Sequence, residues 1–422
     1  MIPEEPARSA PEEPARGAAQ ARRAPEVPAR GAAEEPARTA PEELARDAAA
    51  RAAGATPAAP YDLLIVGGGP CGLACAAAAQ QAGLRYRVFE KGAIVNSLVH
   101  FPVQMNFFST SDNLAIAGIP FVTERANPTR REALDYYRAV VQHLGLQVDT
   151  FTEVVDIRRE AGGTFQVVVR PVPRLVGGLP PLEPARGAER ATSPGDAGPA
   201  GVQVYRARNV VLATGYYDRP NRLGIPGEDL PHVSHYYREG HAFYGRSVLV
   251  VGGQNSAVEA ALDLHRCGAR VSLAHRGPAL SQRIKPWVLP PFRSLVEKGR
   301  IAVFYNTEVL AIEPGRVRLS VAGEPRDLPA DFVFLLVGYR PNHHLVHRLG
   351  IPVDPATGEP RHDPETMATP VPGVYLAGVV AAGYDANKIF IENGRWHGER
   401  IVRHILAQAR GRDAGQEAGP KT

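Results

Sequence analysis

Two of the three cysteines of this 422-residue chain lie in one glycine-rich stretch, which reads IVGGGPCGLAC from Ile65 to Cys75. Glycines at this spacing let the backbone N–H groups of a turn surround a phosphate at the start of a helix. Cys71 falls in the first turn of that predicted helix, where the helix dipole favours a thiolate. A negatively charged phosphate in the same turn would instead disfavour a thiolate at Cys71. The sequence therefore leaves two roles open for Cys71, a nucleophile or a small apolar residue that packs beneath a ligand.

The residues around this stretch form a predicted dinucleotide-binding unit. A short apolar strand precedes the glycines, an alanine-rich helix follows them, and a second strand ends at Glu90. Strand, glycine-rich turn, helix and strand in this order make a βαβ unit, and a carboxylate at the end of its second strand binds a ribose hydroxyl. A solvent-exposed charge at a strand end is the alternative for Glu90. The predicted binding residues are Gly67, Gly69, Pro70, Gly72, Glu90 and Lys91.

A second unit of the same kind is predicted over residues 246–277, in the stretch RSVLVVGGQNSAVEAALDLHRCGARVSLAHRG. Gln254 stands where the pattern has its second glycine, and Ala257 replaces the third. The strand after the helix ends in His275 and Arg276, where an NAD-binding site carries a carboxylate. Cations at this position suit the 2′-phosphate of NADPH. The predicted NADPH-binding residues are Gly252, Asn255, Ser256, Ala257, His275 and Arg276.

Further apolar runs that end in glycine indicate how the two units are joined. They read VVLATGYYDRP (210–220), FVFLLVGYRPN (332–342) and VPGVYLAGV (371–379). Gly215 and Gly378, at the ends of two of these runs, are predicted to contact the first dinucleotide, and a helix is expected from about Asn393. The predicted fold class is α/β, with two Rossmann-like dinucleotide-binding domains, the second inserted into the first.

Low-complexity segments bound the predicted domains. Near-copies of the phrase PEEPAR fill most of residues 1–60, and LEPARGAER has the same character at 182–190. Such Pro-, Ala- and charge-rich segments cannot bury enough apolar surface to offset the entropy of ordering, so we expect disorder. They serve either as an arm for a partner or as inert expansions. The predicted organisation is a tail (1–60), a first domain (61–225, with an inserted loop at 175–201, and 341–410), a second domain (226–340) and a disordered tail (411–422).

The composition limits the partners of the chain. The formal net charge is +4, from 48 basic and 44 acidic residues, which is too small an excess to indicate nucleic-acid binding. Three cysteines cannot form a disulfide framework, so a reducing cytoplasm is expected. No apolar run approaches the roughly 20 residues that span a bilayer, so no membrane partner is expected. The histidines form no metal-type cluster with cysteines or carboxylates, so no metal site is predicted.

Six stretches are informative in combination: GGGPCGL, FFSTSDNLAIAGIPF, NPTRREALDYYR, GGQNSAVEAAL, IKPWVLP and ANKIFIENGR. Together they resemble the bacillithiol disulfide reductase (YpdA-like) family, within the two-dinucleotide flavoprotein oxidoreductases of the thioredoxin reductase type. The resemblance covers about Tyr61 to Gln408, apart from the inserted loop. It implies FAD in the first domain, NADPH in the second, and a cytoplasmic flavoenzyme in which Cys71 attacks a low-molecular-weight thiol disulfide. The expected partners are this small molecule and further copies of the chain in a homo-oligomer.

Several residues depart from the pattern of the wider group. Val379 stands where its flavoproteins carry an aspartate on the ribityl chain of FAD, and Asp385 or Asn387 is the expected replacement. The predicted NADPH domain contains Cys267 but no C-x-x-C pair. A conventional dithiol relay to a protein disulfide is therefore not expected. Cys75, one helical turn after Cys71, is expected to pack in the core, because a disulfide inside an intact helix fits bond geometry poorly.

Other candidate residues lie outside the glycine-rich turns. Lys285 and Trp287 in the stretch RIKPW are candidates to face the nicotinamide or the substrate, and a surface loop around a buried tryptophan is the alternative. Phe107, Phe108 and residues 109–112 are candidates to line the flavin. Besides a disulfide reductase, two classes of function stay open. One is a flavin-dependent monooxygenase or another NADPH:acceptor flavoprotein reductase, and the other is a non-catalytic redox or nucleotide sensor.

Overall fold

The computed structural model of the chain describes residues 59–172 and 201–417. The predicted tail lies outside the described residues over positions 1–58, and the predicted inserted loop lies outside them up to residue 200. Residues 418–422 also lie outside them. Residues 59 and 60 have no regular structure and lead directly into the first strand.

The segment up to residue 212 forms most of the first sheet. Its strands are β1 (Tyr61–Val66), β2 (Tyr86–Glu90), β3 (Val148–Thr150), β4 (Thr152–Arg159), β5 (Phe165–Pro171) and β6 (Gln203–Leu212). Its helices are α1 (Pro70–Gln81), α2 (Asn96–His100), α3 (Ser111–Leu114) and α4 (Arg130–Leu144). Strand β1 pairs in parallel with both β2 and β6, so it lies inside the sheet. Its residues Leu63–Val66 are buried, which explains the unbroken apolar run.

The two long helices of this segment begin in the way their sequences indicate. Pro70 occupies the first position of α1, where the N–H that proline lacks has no helical partner in any case. Helix α4 opens with a capping box, in which the Thr129 side chain accepts from the Glu132 N–H and the Glu132 carboxylate accepts from the Thr129 N–H. It ends at Gly145, whose φ of 63° lies in the left-handed region.

The next segment forms a second sheet and a small third one. Its strands are β7 (Val233–Ser234), β8 (Ser247–Val251), β9 (Arg270–Ala274), β10 (Ile301–Phe304), β11 (Thr307–Glu313), β12 (Arg316–Val321), β13 (Glu324–Pro329) and β14 (Phe332–Leu335). Its helices are α5 (Asn255–Arg266) and α6 (Leu289–Glu297), and a 3₁₀ turn covers His241–Phe243. Among the described residues, five strands pair in parallel in the order β10-β9-β8-β14-β7. Strands β11, β12 and β13 form a separate antiparallel sheet.

The last segment returns to the first sheet. It contains α7 (His344–Arg348), β15 (Val374–Leu376), a 3₁₀ turn (Gly378–Ala382), α8 (Ile391–Gly394) and α9 (His397–Glu417). Strand β15 pairs in parallel with β6. Within the described residues this completes seven strands, in the order β3-β2-β1-β6-β5-β4 with β15 beside β6. The return confirms the predicted α/β class, in which one nucleotide-binding unit is inserted into the other.

The C-terminal helix α9 is longer than predicted. Residues 411–417 were expected to belong to a disordered tail, but the helix continues to Glu417. The sequence has no proline between residue 398 and Pro420, and extending an existing helix requires no new nucleation. Near its start, Gly398 lies against α1, where an added Cβ would come within 2.8 Å of the Ala74 carbonyl oxygen. A glycine is needed for this close approach of the two backbones.

Candidate active site

A cavity of about 590 Å³ lies beside the glycine-rich turn between β1 and α1. Residues from widely separated parts of the chain line it. Most of the predicted residues for the first dinucleotide are brought together there. The predicted catalytic and nucleotide-binding residues that line the cavity are Gly67, Gly69, Pro70, Cys71, Gly72, Glu90, Lys91, Gly215, Lys285 and Gly378.

The three glycines of the turn have different surroundings, and each suits a pyrophosphate site. Gly67 has a φ of 110°, and a Cβ there would lie 2.3 Å from the Ala213 carbonyl oxygen. A Cβ on Gly72 would lie 2.0 Å from the Gly67 carbonyl oxygen, so helix and turn approach more closely than alanine allows. Gly69 has no atom within 4 Å of that position. The turn is therefore closed on its protein side and open beside Gly69, where a phosphate can approach the backbone.

Glu90 braces the turn from the end of β2. Its carboxylate oxygens accept the N–H groups of Gly68 and Gly92, both at 2.7 Å. The side chain is 7% exposed, so the alternative of a solvent-exposed charge is wrong. Burial raises the pKa of Glu90 above its usual value, and the hydrogen bonds from the two backbone N–H groups offset only part of this rise. A carboxylate has about four acceptor positions, so Glu90 keeps acceptors for ribose hydroxyls after these two bonds.

The neighbouring Lys91 is held by an ion pair with Asp218, which also lines the cavity. Asp218 belongs to the run Tyr216–Asp218, which directly follows Gly215 and lines the same cavity. Sequence reasoning did not select these three residues. Their position immediately after an Ala-Thr-Gly strand end was the available signal, because ligands bind at the carboxyl ends of parallel strands.

Cys71 lies in the wall of the cavity, half-buried at the second position of α1. Its sulfur packs against two glycines of the last segment. A Cβ added to Gly378 would lie 3.0 Å from the Cys71 sulfur, and a Cβ added to Gly394 would lie 2.8 Å from it. Burial raises the pKa of the Cys71 thiol to about 12. The shift is upward because burial removes the hydration that stabilises a thiolate.

The other two cysteines have separate surroundings. Cys75 is completely buried, and burial together with Cys71 raises its pKa. Cys267 caps the C-terminus of α5, and a Cβ on Gly240 would lie 3.0 Å from its sulfur. All three thiols are free. The packing role expected for Cys75 agrees with its position.

The segment after Gly378 positions a residue that the sequence did not single out. The Gly378 N–H donates to Nδ1 of His397 at 3.1 Å. Burial, helped by Arg400 and His362, lowers the pKa of His397 to about 4, so the ring is neutral and can accept this bond. Val379 lines the cavity, as its position after Gly378 requires.

Asn387 lies apart from these residues. It is exposed, and both its backbone N–H and its side-chain amide donate to Asp385. Neither residue is among those that line the cavity, whereas Ala386 and Ile389 are. A contact from Asn387 to the ribityl chain stays a prediction.

The second nucleotide-binding unit begins at a comparably tight turn. Gly252 has a φ of 153°, and a Cβ there would lie 2.6 Å from the Leu336 carbonyl oxygen. Ala257 is completely buried, which fits its predicted role in helix–strand packing. Ser256 is exposed in the first turn of α5. The His275 ring covers Gly253, so close that a Cβ on this glycine would lie 2.2 Å from the ring.

Asn255, the first residue of α5, connects this unit to the cavity. Its Oδ1 accepts the N–H of Lys285 at 2.9 Å. The Lys285 ammonium then lies 3.5 Å from the centre of the Phe108 ring, a cation–π contact. Lys285 is the one cavity-lining residue that the described part of segment 226–340 contributes. Trp287 is 59% exposed, so the alternative of a loop around a buried tryptophan is wrong.

Of the candidates for the flavin-lining surface, Phe107, Phe108 and Ser109 line the cavity. The Ser109 hydroxyl donates to Glu392, another lining residue. Asp112 is not among the lining residues.

Comparison with known proteins agrees with this arrangement. The profile of the family described as pyridine nucleotide-disulphide oxidoreductase matches residues 64–170 and 200–378. The chain belongs to this family. Its members combine FAD with a nicotinamide dinucleotide, which confirms the predicted cofactors FAD and NADPH and the class of flavoprotein disulfide reductase.

The similarity extends to particular relatives. Bacilliredoxin reductase Bdr of Bacillus subtilis is 40% identical over 344 residues, which are 81% of this chain and 96% of that protein. Two solved structures of bacillithiol disulfide reductase Bdr (YpdA) are also similar. The one from Bacillus cereus has 38% identity and a TM-score of 0.74, covering 83% of this chain and 100% of the other. The one from Staphylococcus aureus has 36% identity and a TM-score of 0.73, covering 83% and 99%. The resemblance inferred from the sequence is confirmed.

None of the described helices is both long enough and apolar enough to cross a membrane.

Proposed function

We propose that this chain reduces a low-molecular-weight thiol disulfide, such as bacillithiol disulfide, at the expense of NADPH, with Cys71 as the nucleophile. The observation that carries the proposal is the position of Cys71, a thiol in the wall of the cavity at the phosphate-binding turn. The sulfur is enclosed by Gly378 and Gly394, which favours a small acceptor over the surface of a folded protein. The names of the solved relatives support the same substrate class. We further propose a cytoplasmic homo-oligomer.

The residues present fit both cofactors. Bound FAD would transfer electrons between NADPH and the disulfide. The open face of Gly69 and the α1 N-terminus would hold its pyrophosphate, and Glu90 its ribose. The remaining residues proposed for FAD are Gly67, Pro70, Gly72, Lys91, Gly215, Gly378 and Asn387. Those proposed for NADPH are Gly252, Asn255, Ser256, Ala257, His275, Arg276 and Lys285.

Cys71 must lose its proton before it can attack, because only a thiolate is nucleophilic. The raised pKa means that the thiolate is a minor species at neutral pH in this structure. Attack on one sulfur of the substrate would form a mixed disulfide at Cys71 and release one thiolate. Cys75 lies one turn further along α1 but is completely buried. The two electrons that release the second thiol must therefore be delivered at the cavity itself.

The test is Cys71→Ser, with Cys267→Ser as the matched control. Serine keeps the size of the side chain and the N–H groups of the turn, so FAD should remain bound and NADPH should still bleach its absorbance. Disulfide-dependent reoxidation should fall by at least 100-fold, because a serine hydroxyl forms no mixed disulfide. Anaerobic stopped-flow spectroscopy measures the two half-reactions separately. Cys267→Ser should retain both.

Other outcomes would replace the proposal. Survival of both half-reactions in Cys71→Ser would make this residue a packing residue. Loss of FAD would make it structural. NADPH oxidation that requires oxygen and yields an oxygenated product would establish the monooxygenase alternative. The name of the Bacillus subtilis relative also refers to a protein acceptor, so activity with a protein disulfide and none with small disulfides would move the substrate to that class.

A further inference from the structure

Residues 281–287, with the sequence SQRIKPW, form a strap that reaches from the second nucleotide-binding unit to the first domain. The strap has no regular structure and ends two residues before α6. The sequence singled out Lys285 and Trp287 in this segment but left their contacts open. Asp385 was a candidate for the ribityl chain of FAD, yet it does not line the cavity. The contacts of the strap account for these residues together.

One side of the strap is fixed to the glycine-rich turn of the second unit. The Ser281 N–H donates to the Gly253 carbonyl at 3.0 Å. The Lys285 N–H donates to Oδ1 of Asn255, the first residue of α5, at 2.9 Å. Ile284 between them is 4% exposed and packs in the core of the same unit. The strap is therefore anchored at the turn proposed to bind NADPH.

The other side of the strap contacts the first domain through three side chains. Nη1 of Arg283 lies 3.6 Å from Oδ1 of Asp385. The Lys285 ammonium lies 3.5 Å from the centre of the Phe108 ring, and the centre of the Trp287 ring lies 6.1 Å from the same point. Phe108 and Lys285 both line the cavity. The strap therefore joins the NADPH turn to the wall of the cavity proposed for FAD.

The two attachments of the strap differ in strength. Main-chain hydrogen bonds and a buried side chain hold it to the second unit, whereas exposed side chains hold it to the first domain. The Arg283 side chain is 67% exposed and that of Asp385 is 41% exposed, and ion pairs at such exposure contribute little to stability. The strap therefore stays with the NADPH turn, and its attachment to the first domain is the one that a substitution can release.

We propose that Arg283 and Asp385 are positioning residues for the transfer of hydride from NADPH to the flavin. The step moves one hydride, with its two electrons, from NADPH to FAD and leaves NADP⁺. Its rate depends steeply on how the two reacting groups are oriented. The NADPH turn belongs to one unit and the cavity to the other, and the ion pair fixes the strap that joins them. The inference rests on the part of the proposed function that assigns NADPH to the second unit, and it does not depend on Cys71.

The experiment reverses the charges of this pair one at a time and then together. Arg283→Asp and Asp385→Arg each place like charges opposite one another, and the double variant restores an ion pair of opposite sense. Glu124→Lys, at an exposed residue of the first domain, is the control for a charge reversal elsewhere. Anaerobic stopped-flow spectroscopy at increasing NADPH concentrations gives the limiting rate of flavin reduction and the apparent Kd for NADPH separately.

Each single reversal should lower the limiting rate of flavin reduction by about 2- to 10-fold, because like charges oppose the attached strap. The Kd for NADPH should stay unchanged, since the turn itself is intact. The double variant and Glu124→Lys should both reduce the flavin at the wild-type rate. Asp385 also accepts two hydrogen bonds from Asn387, which Asp385→Arg removes in the single and the double variant alike. Restoration in the double variant therefore isolates the ion pair.

A fluorescence measurement reports the position of the strap without turnover. Trp287 and Trp396 are the two tryptophans of the chain, so Trp396→Phe leaves Trp287 on the strap as the only one. Trp287 is 59% exposed while it contacts Phe108. In this background each single reversal should raise the acrylamide quenching constant of Trp287, because release from Phe108 exposes more of the indole. The double variant should return to the wild-type constant.

A limiting rate that is unchanged or faster in both single reversals would overturn the inference, as would a loss that the double variant fails to restore or quenching that never changes. If Asp385→Arg loses its flavin, Arg283→Asp decides, since it leaves the first domain unaltered. Slower flavin reduction with stronger quenching then supports the inference, and wild-type behaviour overturns it. Normal flavin reduction by NADPH in the wild type, without reoxidation by any small disulfide, would instead contradict the proposed function, so the two failures are distinguishable.

Discussion

His275 and Arg276 are adjacent in sequence, but their side chains have different surroundings. The His275 ring covers Gly253, and burial together with Arg276 lowers its pKa, so it is neutral at pH 7. Arg276 is exposed at the end of β9. At the scale of single residues, Arg276 is therefore the member of this pair that we propose for the 2′-phosphate. The His275 ring packs against the turn at Gly253.

Arg276→Ala should raise the KM for NADPH by roughly 10- to 150-fold, because a charge-assisted contact to phosphate contributes about 1.5–3 kcal/mol. The KM for NADH should stay unchanged, since NADH lacks the 2′-phosphate. Steady-state kinetics with both nucleotides provide the measurement. Arg300→Ala, at an exposed arginine of the same segment, is the control. An unchanged ratio of the two KM values in Arg276→Ala would remove Arg276 from the NADPH site.

At the scale of elements, α9 depends on the protonation of its first residue. His397 is buried where α9 begins, and its Nδ1 accepts the Gly378 N–H only while that nitrogen is unprotonated. Its folded-state pKa of about 4 lies below the usual value near 6.5. Between pH 4 and pH 6.5, His397 is therefore mostly protonated in the unfolded chain and mostly neutral in the folded chain. This contribution to stability is complete above about pH 6.5 and is lost as the pH falls below it.

From pH 7 to pH 5, His397 should account for roughly 1–2 kcal/mol of lost unfolding free energy. His397→Asn keeps an acceptor near the position of Nδ1 but does not titrate, so its stability should fall less than that of the wild type over this range. Urea unfolding at the two pH values measures the difference. His241→Asn, at an exposed histidine, should follow the wild type. Equal losses in His397→Asn and the wild type would contradict the argument.

At the scale of the whole molecule, two chain crossings join the sheets and run side by side. The Asn221 N–H donates to the Gly338 carbonyl at 2.9 Å, and the Arg340 N–H donates to the Arg219 carbonyl at 2.9 Å. The rings of Tyr217 and Tyr339 pack across these crossings with centres 4.5 Å apart. Tyr217 also lines the cavity, so the crossings form part of its wall.

Deleting residues 1–58 should leave the flavin content, the melting temperature and the turnover unchanged. The deleted sequence is rich in Pro, Ala and charge and has little to contribute to a core. Deleting residues 1–66 is the control. It removes β1 from between β2 and β6 and should yield insoluble or flavin-free protein. Absorbance at the flavin band and thermal unfolding measure both variants. Loss of FAD in the shorter deletion would show that the tail is part of the fold.

Local patterns in the sequence were sufficient for the two nucleotide-binding units. The spacing of Gly67, Gly69 and Gly72 reports backbone conformations and close approaches that arise within a few residues. The same holds for the apolar runs of β1 and β8, because burial on both faces of a parallel sheet demands them. Glu90 was predictable because the βαβ connection has a nearly constant length. The helical end of α9 was missed because its composition resembles that of the tail at the other end.

Tertiary structure decided the properties that depend on distant segments. The raised pKa of Cys71 reflects enclosure by Gly378 and Gly394, which are more than 300 residues away in the chain. The cation–π contact of Lys285 with Phe108 likewise joins two separate units. Spacing along a chain encodes local geometry, but loss of hydration and Coulomb interactions depend on every group that folding brings near. Sequence patterns alone therefore located the turns, strands and thiols, whereas the packing of remote segments sets how those thiols and charges ionise.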